Sequence, residues 1–67
     1  MKANELKALL KRYNAKHIIY GVIDWKGEKQ MRTEKNLIFC VTDKDFEREV
    51  KYLQNVDGVQ MIYAVHA

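Results

Sequence analysis

Three stretches of this chain are apolar at odd and even positions alike: His17-Ile18-Ile19-Tyr20-Gly21-Val22-Ile23, Leu37-Ile38-Phe39-Cys40-Val41 and Val59-Gln60-Met61-Ile62-Tyr63-Ala64-Val65. Successive side chains of a strand point to opposite sides of a sheet, so strands of this kind have two faces to hide. A strand wetted on one side alternates apolar and polar residues, and none of the three does so cleanly. Only two segments carry the 3.6-residue apolar spacing of an amphipathic helix. They are expected to cover one face of a small sheet together. The other face then needs a second copy of the chain or a partner.

The first helix is predicted over about Asn4 to Tyr13, with Asn4 as N-cap and Glu5 in the favourable first turn. Leu6, Leu9, Leu10 and Tyr13 share its apolar face. Asn14, a residue that tolerates the left-handed conformation, suits its end. A β-hairpin follows, with strands over about 17–25 and 33–42 and a turn within Trp25 to Met31. Gly27 is the expected positive-φ residue there. Thr42 or Asp43 caps the second helix, which buries Phe46, Val50 and Leu53. Asn55-Val56-Asp57-Gly58 stops that helix, and a third strand runs over about 59–66.

The order α-β-β-α-β predicts a single small α+β domain over residues 1–67. Its sheet is three-stranded and mainly antiparallel, with both helices on one face. The element order, and nothing else, resembles a ferredoxin-like fold that lacks its first strand. The second helix makes a right-handed crossover. Strand three can pair beside strand two, parallel, or beside strand one, antiparallel; placing the most apolar strand centrally favours the second, with strand order 2-1-3. In a symmetric hairpin Tyr20 and Val22 share a face with Leu37 and Phe39. Met61 and Tyr63 are candidates for the same face. These residues form the predicted protein interface, joined by Trp25 and Met31 from the hairpin loop. An apolar face of that size exceeds what monomers usually leave bare, so a homodimer or higher oligomer is expected.

Size points the same way. Domains below ~70–80 residues usually need disulfides, metals or oligomerisation for firm stability. The chain has 67 residues and one cysteine, Cys40, so no internal disulfide can form. A lone cysteine in an apolar run fits a reducing compartment. No apolar leader opens the chain, and no run approaches the ~20 residues of a membrane helix. A cytoplasmic protein is expected, in the host cytoplasm if viral, with no membrane partner.

Charge is distributed unevenly. The net charge is +3; residues 1–16 carry five basic side chains against one acidic, whereas residues 42–57 are net acidic. A balance this small does not by itself imply nucleic acid.

Catalytic chemistry is sparse. Serine is absent, and Cys40 lacks the electropositive, partly exposed setting a thiolate needs. The three glycines are too scattered for a phosphate-binding loop. No enzyme activity, cofactor or metal is expected. In the antiparallel arrangement, however, His17 and His66 meet at one end of the sheet. With an acidic neighbour, such a pair can bind a metal or shuttle protons; otherwise both are ordinary strand-end residues.

Binding is the expected mode of action, as a stoichiometric inhibitor or adaptor of a protein partner. A phage or mobile-element inhibitor of a host enzyme is one expectation for so short a chain opening at Met1. Two alternatives use the basic side chains. Single-stranded nucleic acid is one, with Tyr20, Phe39 and Tyr63 as a stacking platform and Lys26, Lys29, Arg32 and Lys35 on phosphates. A small anionic nucleotide held between subunits by Lys7, Lys11 or the hairpin lysines is the other.

Overall fold

The computed structural model describes residues 2–67. Helix α1 (Ala3–Arg12) leads into strand β1 (His17–Ile23). Strand β2 (Lys29–Met31), a 3-10 turn (Glu34–Asn36) and strand β3 (Ile38–Cys40) follow, then helix α2 (Asp43–Asn55) and strand β4 (Met61–His66). Strand β1 is central. It pairs antiparallel with β2 and β3 along one edge and with β4 along the other. The α+β class and the order 2-1-3 hold, with the second hairpin strand cut in two.

That cut has a local cause. Thr33 to Asn36 contain no apolar side chain. The Arg32 N–H bonds the Tyr20 carbonyl, and the Arg32 guanidinium then donates to the Asn36 carbonyl at 2.8 Å. The Asn36 N–H closes on the Thr33 carbonyl at 3.0 Å. These bonds satisfy the backbone as a turn, and the strand resumes only at Ile38.

Helix ends follow capping chemistry. The Thr42 hydroxyl accepts from the Asp45 N–H at 3.1 Å and starts α2. Helix α1 begins earlier than expected, with Lys2 rather than Asn4 at the N-cap, because the Glu5 carboxylate reaches back to the Lys2 N–H. Asn14 ends the helix at φ 51°. Strand β1 stops at Ile23 because Asp24 organises the turn. Its carboxylate accepts from the N–H groups of Lys26 and Glu28 and from the Gln30 amide, and Gly27 takes φ 84°.

The two helices lie on opposite faces of the sheet, not side by side on one. Leu6, Leu9 and Leu10 of α1 pack on Ile18 and Leu37, with Tyr20, Phe39 and Val65 against them. Leu53 and Phe46 of α2 pack with Ile19, Val22 and Val59, beside Ile38, Ile62 and Ala64. Neighbouring residues Ile18 and Ile19 therefore serve different cores, and both are fully buried. Width explains the arrangement. Three strands spaced about 4.8 Å apart span about 10 Å between outer axes, roughly one helix diameter. One helix per face is what such a sheet accommodates.

A β-bulge corrects the expected faces of β1. The register runs Ile18↔Val65 and Ile19↔Ala64, then skips Tyr20 to give Gly21↔Tyr63 and Val22↔Ile62. The extra residue reverses the parity beyond it. Val22 thus leaves the face of Tyr20 and enters the α2 core.

Candidate binding surface

Helix α1 covers only one end of its face. Beyond it, two cross-strand rows end in exposed side chains at Met31, Lys29 and Met61: Met31–Gly21–Tyr63 and Lys29–Ile23–Met61. Met31 and Met61 are 51% and 53% exposed. Gly21 leaves the middle of the first row without a side chain, and the Met31 thioether fills that space. A Cβ at Gly21 would stand only 2.7 Å from the Met31 sulfur. Lys29 Nζ sits 4.9 Å from the Tyr63 ring centroid, and Tyr20 and Tyr63 approach at 6.0 Å. The patch is thus apolar and polarizable, with a cation over its central ring.

The other expected interface residues are distributed differently. Val22 and Leu37 are buried in the chain's own two cores and present no surface. Phe39 is half-buried, 4.7 Å from Tyr13. Trp25 stands at the hairpin turn, 65% exposed. Its backbone carbonyl accepts from the Gln60 amide, and Lys26 Nζ lies 5.1 Å from its ring.

Of the candidate anion contacts, Lys26, Lys29 and Lys35 are exposed around the hairpin, whereas Arg32 is half-buried against Asn36. Lys7 and Lys11 are exposed on α1. Shallow depressions of about 330 and 320 Å3 lie on the surface of the described residues. Glu5, Ala8, Leu9 and Glu34 line the first, and four charged side chains of α2 line the second.

A polar cluster occupies the opposite end of the sheet. His17 and His66 pair across β1 and β4, with their Nδ1 atoms 2.6 Å apart. His17 Nε2 lies 2.8 Å from Asp43 Oδ1, and Lys16 Nζ holds the other carboxylate oxygen at 2.8 Å. Phe46 stacks on the His17 ring at 4.3 Å. The hydrogen bonds from Lys16 and His17 hold the Asp43 carboxyl below its ordinary pKa. An ionised Asp43 accepts the Nε2 proton of His17. If the His17 ring is neutral, it accepts at Nδ1 and His66 donates its own Nδ1–H. The acidic neighbour is Asp43, on the first turn of α2.

Among the described residues, no group of three or more His, Cys, Asp or Glu side chains is placed to hold a metal ion. Cys40, beside His17 in the ladder, is 1% exposed, and burial pushes its thiol pKa up. No helix among the described residues is long and apolar enough to cross a membrane.

Sequence reasoning missed two organising residues. Asp24, four residues before Glu28 and three before Gly27, had the signature of a side-chain-closed turn. Asp43 carried only helix-start signals, as a cap candidate and a first-turn acid, and nothing local pointed from it to His17. Comparison with protein-family models, curated proteins and solved structures gives no match for this chain.

Proposed function

We propose that the chain is a non-catalytic binding module that docks stoichiometrically on a protein partner, in the manner of an inhibitor or adaptor. The observation that carries this reading is the pair of rows on the α1 face: Met31, across the sheet from Tyr63, and Met61, two residues along its strand, are each half exposed, with Lys29 above the Tyr63 ring. Methionine side chains adapt to an opposing surface, and buried aromatic anchors dominate interface energies. Lys29, with Lys26 and Lys35 on the neighbouring hairpin, favours an acidic rim around an apolar centre on the partner.

Single-stranded nucleic acid ranks second. Trp25 with Lys26 over its ring is the feature that favours it. Phe39, the middle aromatic of the expected platform, is packed against Tyr13 instead.

Affinity capture from the source lysate, with the chain immobilised and nuclease added, separates the two. A protein should be retained after nuclease treatment. Met31→Glu should weaken its retention at least ~10-fold, the effect of losing about 1.4 kcal/mol. Retention abolished by nuclease and unaffected by Met31→Glu overturns the reading.

A further inference from the structure

The two edges of the sheet are built differently. The β2/β3 edge consists of two three-residue strands separated by a turn, and Lys29, Arg32 and Lys35 lie along it. Short strands, interruptions and cationic side chains all discourage another strand from adding to an edge. Strand β4 has none of these devices. It is six residues long, with neither a charged residue nor a proline from Met61 to Val65. Among the described residues it pairs only with β1.

The direction of its free backbone groups follows from one hydrogen bond. The Ala67 N–H donates to the Lys16 carbonyl at 2.9 Å, so residue 67 faces β1. Backbone direction alternates along a strand, and the bulge lies on β1, not on β4. Val65 and Tyr63 therefore face β1, while Ile62 and Ala64 turn their N–H and C=O groups outward.

We infer that β4 is a self-association edge, which pairs antiparallel with β4 of a second copy about a two-fold axis at Tyr63. The occupant follows from self-complementarity. A two-fold axis perpendicular to the sheet keeps each side chain on its own face, so it must pass through a residue position. At Tyr63 it sets Met61 opposite Val65 of the second copy, Tyr63 opposite Tyr63, and Ile62 opposite Ala64. Every pair is apolar. Centred one residue on, at Ala64, the same operation sets Ile62 against the polar His66. In the Tyr63 register the outward groups of Ile62 and Ala64 satisfy those of the second copy by four hydrogen bonds. Met61, 53% exposed in the single chain, comes to lie beside Val65 of the second copy, which packs on its own α1 core. Two sheets join into one, and the rows of both copies fall on the same side of it. This deepens the binding role proposed above by making the docking surface bivalent, yet it is tested without any partner.

Sedimentation equilibrium across a wide concentration range should give a mass approaching twice the 7.9 kDa of the chain. Tyr63→Lys, which opposes two ammonium groups across the axis, and Ala64→Pro, which deletes an outward N–H, should each give a monomer with the wild-type far-UV spectrum. Tyr63→Cys should oxidise to a covalent dimer, because directly opposed residues bring their Cα atoms within disulfide range. A wild type that stays monomeric at millimolar concentration overturns the inference. So does a Tyr63→Cys chain that fails to cross-link, whatever the folding of the other variants. Partner capture sensitive to Met31→Glu, on the far edge, stands or falls separately.

Discussion

His17 and His66 share one hydrogen bond between like atoms, Nδ1 to Nδ1 at 2.6 Å, at the end where β1 and β4 meet. A single proton serves that bond, so one ring donates and the other accepts. With a neutral His17 ring, Asp43 settles which, because it takes the Nε2 proton of His17. The order of donation is His66 to His17 to Asp43. Nitrogen-15 NMR of the imidazoles should find His17 protonated at Nε2 and His66 at Nδ1. His66→Ala should cost about 1 kcal/mol, read as a fall in melting temperature of about 4–8 °C for a domain of this size.

The carboxylate at the end of that chain makes stability depend on pH with a definite sign. Asp43 has a lower pKa folded than unfolded, through its bonds to Lys16 and His17. Between the two values the unfolded chain binds more protons, so stability rises with pH there. The contribution is complete above the ordinary carboxyl range, about pH 4, and is lost as pH falls through the depressed folded value. Urea unfolding between neutral and acid pH should show a steeper acid loss for wild type than for Asp43→Asn.

Opposite-face packing predicts that the two cores are energetically separate. Leu9→Ala on α1 and Leu53→Ala on α2 each remove a buried side chain and should each cost about 2–5 kcal/mol. The sheet stands between the two sites, so the double variant should show the sum of the single effects to within about 0.5 kcal/mol. Strong coupling between them in denaturant titrations contradicts this architecture.

Gly21 and Met31 offer the converse case of a coupled pair. A methyl group at Gly21 displaces the Met31 thioether, now only 2.7 Å from that position. The displaced atoms are the far end of a flexible, half-exposed side chain, so Gly21→Ala should cost no more than about 0.5 kcal/mol. Much of that loss should vanish in the Met31→Ala background, where the space is already vacant. A double-mutant cycle by thermal unfolding reads the coupling.

Much of this fold was legible in the residues. Thr42 as a cap, Gly27 and Asn14 at positive φ, and the central place of the His17–Ile23 strand all follow from local chemistry or apolar content. The sharing of the helices between faces did not, because periodicity gives each helix a stripe but not an address. Sheet width decides that, and width emerges only when strands are counted together. The bulge left one trace, Gly21 inside an apolar strand, where a glycine often marks an irregularity. For the surface, Met31, Met61 and Tyr63 were readable as candidates. Val22 was not separable from them, because the unpaired Tyr20 just before it in the strand governs its side. The His17–His66 meeting was readable from strand order, whereas the contribution of Asp43 required knowing where α2 starts in space.

The skipped residue at Tyr20 makes β1 one residue longer than the ladder it fills against β4. Spare length therefore exists at two places in the hairpin. One is its tip, where nothing lies within 4 Å of a Cβ added at Gly27. The other is position 20 itself. A chain shortened there would keep Gly21 opposite Tyr63 and Val22 opposite Ile62, each on its present face, and would lose the Tyr20 ring and the carbonyl that receives the Arg32 N–H. Shortening at Val22 has no such refuge. It would draw Ile23 into the α2 core and pull Asp24, with the turn it closes, into the ladder. Insertions and deletions in this hairpin should thus gather at its tip and at the bulge, and spare the segment between them.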